Sequence, residues 1–282
     1  MTSISLPIFG QGSQLAEQDG VALEYLQMPQ EMTTYSMPQI STDLNAQDLA
    51  QAKIILLTLQ QNLAAFPSIS EPIEMTQLDA GNRRFIDELL GEGEVSVICS
   101  GEQNIRIQES VLAGVWRLQK LNAQRQIVDD TLEVGIIPQQ LSQSAFNGTA
   151  AQIDTRWTAL PPGVMNAPPL LAELNAKIAD YRPGGEAHTI NLSLLPQTEQ
   201  DLEFLAQRLG GGSATILSRG YGNCRITATG TQHVWWVQYF NSEDTLILNT
   251  LEVSDVPSVA CASPEDIVDS CERLQEILKV YL

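Results

Sequence analysis

Phe85-Ile-Asp-Glu-Leu-Leu-Gly-Glu-Gly93 returns as Phe204-Leu-Ala-Gln-Arg-Leu-Gly-Gly-Gly212, 119 positions later. The correspondence runs without a gap to Pro138 and Pro257. It takes in Gly101/Gly220, Asn104/Asn223, Arg106/Arg225, Ile107/Ile226, Val115/Val234, Trp116/Trp235, Gln119/Gln238 and Asn122/Asn241. It closes with Thr131-Leu-Glu-Val134 against Thr250-Leu-Glu-Val253. About 17 of 54 positions are identical, where chance gives a few. The unit is about 100 residues long, which makes it a duplicated domain and not a solenoid repeat.

Each copy reads with one plan. An apolar-periodic helix comes first, over Leu49–Leu63 and Pro169–Tyr181. A short strand follows, near Ile73–Met75 and Ile190–Leu194, then a second helix to Leu90 or Leu209. Gly91 and Gly210 stand where a left-handed C-cap is expected. In copy two, strands are expected over Ala214–Leu217, Cys224–Ala228, Val234–Phe240 and Thr245–Leu251. The turn residues Arg219–Asn223 and Asn241–Asp244 lie between them. This order predicts the α+β class: two tandem domains, each helix–strand–helix and then an antiparallel meander. A C-terminal helix completes the chain. Ser263-Pro264-Glu265-Asp266 opens it as a cap, and Ile267, Cys271, Leu274 and Leu278 form its stripe. The boundaries that follow are an extended N-terminal arm at 1–42, a first repeat domain at 43–141, a linker at 142–163 and a second repeat domain at 164–282. The arm holds Met28-Pro-Gln30 and Met37-Pro-Gln39, whose prolines block regular helix.

The 282 residues carry 34 acidic and 15 basic side chains, a net charge of −19. Such a surface repels phosphate backbones and anionic lipid, which argues against nucleic-acid or membrane partners and favours a basic one. The first basic residue is Lys53, so no basic leader region is read, and the apolar run Ile54–Leu57 is far below a membrane span. A cytoplasmic location is expected. Cys99, Cys224, Cys261 and Cys271 form no CxxC pair and read as thiols.

Chemistry is sought next. Cys224 lies beside Arg225, and a neighbouring cation lowers a thiol's pKa toward ligand or nucleophile behaviour. Copy one has Ile105 there, an exchange that core packing permits. His233 faces Gly114 in the alignment, and no nucleophile or orienting acid can be placed beside it. Gly210-Gly-Gly212 lacks the Lys-Ser/Thr and the helix of a phosphate loop. Arg106/Arg225 and Glu133/Glu252 recur in both copies, which suits a structural ion pair or hydrogen-bonded anchor better than a duplicated active site. Trp116 and Trp235 read as shared core. On β periodicity, Trp236, Gln238 and Phe240 share the face opposite to Trp235. Copy one has Arg117 and Leu121 in place of Trp236 and Phe240, so this aromatic face is special to copy two. It is a candidate partner surface or an interface between the copies.

Tyr221-Gly-Asn-Cys-Arg-Ile226, His233-Val-Trp-Trp-Val-Gln-Tyr-Phe-Asn241 and Asp244-Thr-Leu-Ile-Leu-Asn-Thr-Leu-Glu-Val253 resemble the hydrogenase expression/formation family of the HupH/HyaF type. Leu160-Pro-Pro-Gly-Val-Met-Asn-Ala-Pro168 and Tyr35-Ser-Met-Pro38 add to the likeness. The resemblance implies a cytosolic accessory protein for maturation of an uptake nickel–iron hydrogenase. It implies a chaperone without chemistry of its own, acting on the iron–sulfur small-subunit precursor before export or on other accessory proteins. It supplies no catalytic residues, and no cofactor is expected. Tyr221, His233, Trp236 and Phe240 are the partner-contact candidates. The alternative is a nickel or iron handling factor, with Cys224 and His233 as the ligand candidates. An enzyme of the pathway is the weakest reading, since no nucleotide or redox fingerprint is present.

Overall fold

The computed structural model describes residues 49–101, 104–220 and 222–281. The expected N-terminal arm and Tyr221 lie outside the described residues. Copy one runs α1 (Ala50–Ala65), β1 (Ile73–Glu74), α2 (Ala80–Leu90), β2 (Val95–Cys99), β3 (Asn104–Glu109), β4 (Val115–Leu121), β5 (Ile127–Val134) and α3 (Gln139–Ser144). Copy two runs α4 (Ala167–Asp180), β6 (His188–Asn191), α5 (Glu199–Leu209), β7 (Gly211–Ser218), β8 (Asn223–Thr229), β9 (Val234–Phe240), β10 (Leu246–Val253) and α6 (Pro264–Tyr281). The fold is α+β, as the sequence predicts.

All ten strands join in one antiparallel sheet of order β1-β5-β4-β3-β2-β7-β8-β9-β10-β6. The copies meet edge to edge at β2 and β7, where Val97 pairs with Ile216. These residues are 119 positions apart, the offset of the repeat itself. Ser96 pairs with Leu217 and Ile98 with Thr215, so the pairing is reciprocal. A pseudo-twofold axis therefore passes through the Val97/Ile216 pair. An open meander edge invites strand pairing, and duplication satisfies that edge internally.

Local chemistry sets the helix ends. The Asp79 carboxylate accepts from the Asn82 amide at the start of α2, and Thr198 with Asp201 forms a capping box on α5. Ser263 Oγ accepts from the Asp266 amide at 3.0 Å and opens α6. Gly91 and Gly210 take positive φ, 50° and 62°. Their ψ values of −159° and −175° send the chain directly toward the next strand instead of curling it back. The strand read over Ile190–Leu194 ends earlier, at Asn191. The Asn191 carboxamide accepts from the Ser193 amide and turns Leu192–Leu194 into a single 3-10 turn.

The two sheet faces differ. Val97, Cys99, Ile107, Trp116, Ile216, Cys224, Ile226 and Trp235 line one face, and all are buried. On the other face, Val234, Leu251 and Val253 pack beneath Leu171 and Leu174 of α4 and Phe204 and Leu205 of α5.

The repeats exchange tails across the seam. From copy two, Ile267 of α6 packs over Gly114 in the β3–β4 turn, and a Cβ at Gly114 would lie 2.4 Å from it. From copy one, Phe146 sets its ring 4.9 Å from Trp235. Ala150 N–H donates to Gly230 at 2.8 Å and its carbonyl accepts from Gln232 at 2.9 Å. The segment 142–163, read as a linker, thus begins with the end of α3 and then closes the β8–β9 turn of the other copy. α6 lies against α1 of copy one through a stripe of Ile267, Leu274 and Ile277, with Cys271 and Leu278 at its margins.

Candidate functional site

The β8–β9 hairpin holds most of the residues that the sequence singles out. Cys224 faces the apolar side of the sheet, paired across from Tyr239. Burial pushes its thiol up to about 12, despite the hydrogen bond with the Tyr239 hydroxyl; the nearby Glu252 adds to the rise. Burial likewise raises Tyr239 to about 12 and raises Glu252. A thiol in this setting stays protonated and is a poor nucleophile and ligand.

His233 stands at the other end of the hairpin, six residues from Tyr239 of the Cys224–Tyr239 pair, about 20 Å at the ordinary rise per residue. The two residues named together as ligand candidates are therefore held apart. Among the described residues, no group of three or more His, Cys, Asp or Glu is placed to hold a metal ion. His233 has φ 65° at a position where copy one uses Gly114, with φ 76°. Its imidazole stacks on Tyr181, with centroids 3.8 Å apart and planes 20° apart, and tilts against Phe146 at 5.9 Å. The Tyr181 hydroxyl donates to Asp255, whose other oxygen accepts from the Gly184 amide at 2.6 Å. Burial lowers the His233 pKa, and the Asp255 charge opposes that.

Trp236 replaces Arg117, and the whole environment changes with it. In copy one, fully buried Asp130 accepts from Arg83 at 2.5 Å and from Arg117 at 2.8 and 2.9 Å, and Arg117 also reaches Asp87 at 2.5 Å. In copy two the equivalents are Leu202, Trp236, Asn249 and Ala206. There the indole Nε1 of Trp236 donates to Asn249 Oδ1 at 2.5 Å. Both copies keep the next bond: Asp130 N–H donates to Thr76 Oγ1 at 3.0 Å, and Asn249 N–H to Ser193 Oγ at 2.8 Å. Trp236 is half-buried against the α4–α5 cluster of its own copy, so it fills space and is no interface between the copies. Phe240 is half-buried, with the Arg225 guanidinium 5.8 Å from its ring centroid.

The repeated charges do not pair with each other. Strand pairing places Arg106 and Arg225 on one face of the sheet and Glu133 and Glu252 on the other. Glu133 Oε2 accepts from the Gln139 amide at 2.9 Å and anchors the start of α3. The repeated tryptophans do share a role. Trp116 and Trp235 are fully buried, and their Nε1 atoms donate to the carbonyls of Gly135 and Asp255. Glu109 was missed by the sequence reading. Burial raises its carboxyl to about 7, the Gly114 amide opposes, and the charges of Glu94 and Asp266 add to the rise. Its equivalent in copy two is Ala228, so the mismatch in the alignment was the available signal.

The C-terminal conserved region of the HupH hydrogenase expression protein matches residues 49–154 and again 164–281. The chain belongs to the HupH hydrogenase expression family. The two matched stretches are the two copies. The hydrogenase expression/formation protein HoxQ of Cupriavidus necator is 44% identical over 283 residues, spanning 99% of this chain and 98% of that protein. The hydrogenase expression/formation protein HupH of Rhodobacter capsulatus is 43% identical over 280 residues, 96% of this chain and 95% of its own. The hydrogenase-1 operon protein HyaF of Escherichia coli is 37% identical over 209 residues, 73% of this chain and 71% of its own. A solved structure of a hydrogenase expression protein HupH from Thiobacillus denitrificans aligns with 41% of this chain and 94% of its own. The identity is 32% and the TM-score 0.37. Among the described residues no helix is long and apolar enough to cross a membrane.

Proposed function

We propose that this chain is a non-catalytic accessory protein of hydrogenase maturation that binds the iron–sulfur small-subunit precursor in the cytoplasm before export. Family membership supports the pathway. The observation that carries the binding role is the charge: 34 acidic against 15 basic residues, in a chain whose prominent thiol is buried and protonated. A precursor with an arginine pair in its export signal offers the complementary basic segment. Steering by charge raises association rates and is screened by salt.

The test is capture of the precursor by the tagged full-length chain, repeated with the arginine pair replaced and across a salt series. Binding that weakens with salt and with loss of the pair supports the proposal. Recovery of only the large subunit or nickel-insertion factors overturns it.

A further inference from the structure

The outer flank of copy two differs from that of copy one in both apolarity and charge. β6 pairs only with residues 250–253 of β10, and the 3-10 turn Leu192–Leu194 lies beside what precedes them, tied by the Asn249–Ser193 bond. Among the described residues, no strand covers residues 246–249 on the side away from β9. Ile247 sits at the register shift of β10 and is 60% exposed, while Leu194 is 81% and Leu195 39% exposed. Asn166 Nδ2 donates to the Pro196 carbonyl at 2.5 Å, which ties the segment of Met165, 71% exposed, to the chain just after the turn. Four exposed apolar side chains thus belong to segments tied together on this flank.

The charges nearby are mainly acidic, with one cation, Arg225, lying against Phe240, the strand partner of Leu246. The chain carries no Lys or Arg from Pro183 to Gln207 or from Ile226 to Glu272, while Glu243 and Asp244 are exposed in the β9–β10 turn. Copy one is different at equivalent places. By sheet register, in which Ile73 faces Leu132 as Ile190 faces Leu251, Gln77 stands for Leu194 and the half-buried Leu78 for Leu195; Arg83 and Arg84 stand for Leu202 and Glu203. Val128, 54% exposed, stands for Ile247, and its neighbour Ile127 is 48% exposed. An apolar strip bordered by the exposed Glu243 and Asp244 selects a partner with a basic border.

We propose that the strip Met165–Leu194–Leu195–Ile247 binds a polypeptide segment of apolar residues flanked by Lys or Arg. The apolar side chains supply contact area, and Met165 adapts to its shape. Glu243 and Asp244 receive the basic flank. The site rests on the binding role proposed above but is tested without the precursor. If the precursor fails to co-purify, the functional reading fails. If the peptide titration fails, this site fails.

The probe is a synthetic peptide of about fifteen residues, a Leu/Ile/Phe-rich half followed by three lysines, titrated into the full-length chain by fluorescence anisotropy. Wild type is expected to bind, and to bind about tenfold more weakly when salt rises from 50 to 300 mM. The same peptide with glutamates for lysines should lose about tenfold or more. L194S/I247T, at positions exposed enough to leave the fold intact, should weaken binding about tenfold, and V128T in copy one should leave it unchanged. An absence of wild-type binding, equal affinity for the two peptides, or an L194S/I247T chain that binds like wild type overturns the proposal. Concentration-dependent dimerisation abolished by I247T would give the strip to a second copy and also overturn it.

Discussion

The ion cluster of copy one and the indole of copy two solve the same packing problem, and that can be tested by exchange. Asp130 is fully buried, whereas the side chains of Arg83 and Arg117 keep 29% and 21% exposure. Removing one partner of a fully buried ion pair costs about 3–5 kcal/mol. Here both guanidiniums keep some water, so Asp130→Asn should cost about 2–3 kcal/mol, or a Tm drop of about 3–5 °C for a chain of this size. The triple exchange R83L/R117W/D130N installs the copy-two set. Replacing a buried ion network by well-packed apolar groups is often near neutral, so it should recover all but about 1 kcal/mol. The pH dependence carries a sign. Burial works against the charged form of Asp130, but hydrogen bonds and charges from Arg117 and Arg83 bring its pKa below the ordinary value. A depressed carboxyl stabilises the fold above its unfolded pKa, near 3.9, and that stability is lost as pH falls through the folded value. The gap between wild type and Asp130→Asn should therefore be full at pH 6 and narrow progressively as pH falls below the unfolded value near 3.9. The assay is thermal melting by circular dichroism at both pH values. A single variant that melts with wild type, or a triple variant no better than the single, refutes the equivalence of the two sets.

Glu109 titrates in the opposite sense. Its raised pKa means stability is fullest below the unfolded value near 4.5 and falls as pH rises through about 7. Glu109→Gln keeps an acceptor for the Gly114 amide and should add about 3 kcal/mol at pH 8 and nothing at pH 4, read by urea denaturation at each pH. Gly114→Ala meets Ile267 and a positive φ together and should cost about 2–3 kcal/mol. Adding Ile267→Ala should recover part of the Gly114→Ala loss, and a strictly additive cycle would separate α6 from that turn. Cys224 should stay unmodified by a thiol reagent at pH 8 over the minutes in which unfolded protein reacts fully; labelling at the unfolded rate would contradict its burial.

The internal repeat was legible because identities at a fixed offset need no knowledge of packing. The element order followed from apolar periodicity, and Trp116 and Trp235 were readable as core because both copies keep them. The seam was not legible. Which two of eight meander strands pair is decided by long-range geometry, and Val97/Ile216 carries no local mark. Residues 142–163 have the Ser, Asn, Gln and Pro composition of a connector, and composition does not reveal that Phe146 reaches Trp235. Trp236 looked like a free aromatic face because alternation gives the side of a strand, not what lies above it. The substitutions Arg83/Leu202, Arg117/Trp236 and Asp130/Asn249 were all present in the alignment and become a single event only once the structure brings them together.

The tail exchange explains how the two copies can diverge without coming apart. Ile267 from copy two closes the turn of copy one, and Phe146 and Ala150 from copy one close the turn of copy two. Neither copy is complete alone, and the seam strands bury Val97, Cys99, Ala214 and Ile216 between them. Stability held at the centre leaves the two outer flanks, at β1 and β6, free to change. One flank took an arginine–aspartate cluster. The other took an indole, an exposed apolar strip and an acidic turn. A duplicated scaffold with one altered flank presents a single binding surface, where a symmetric dimer of identical units would present two. On this argument the duplication serves function by breaking the symmetry that its sheet still records.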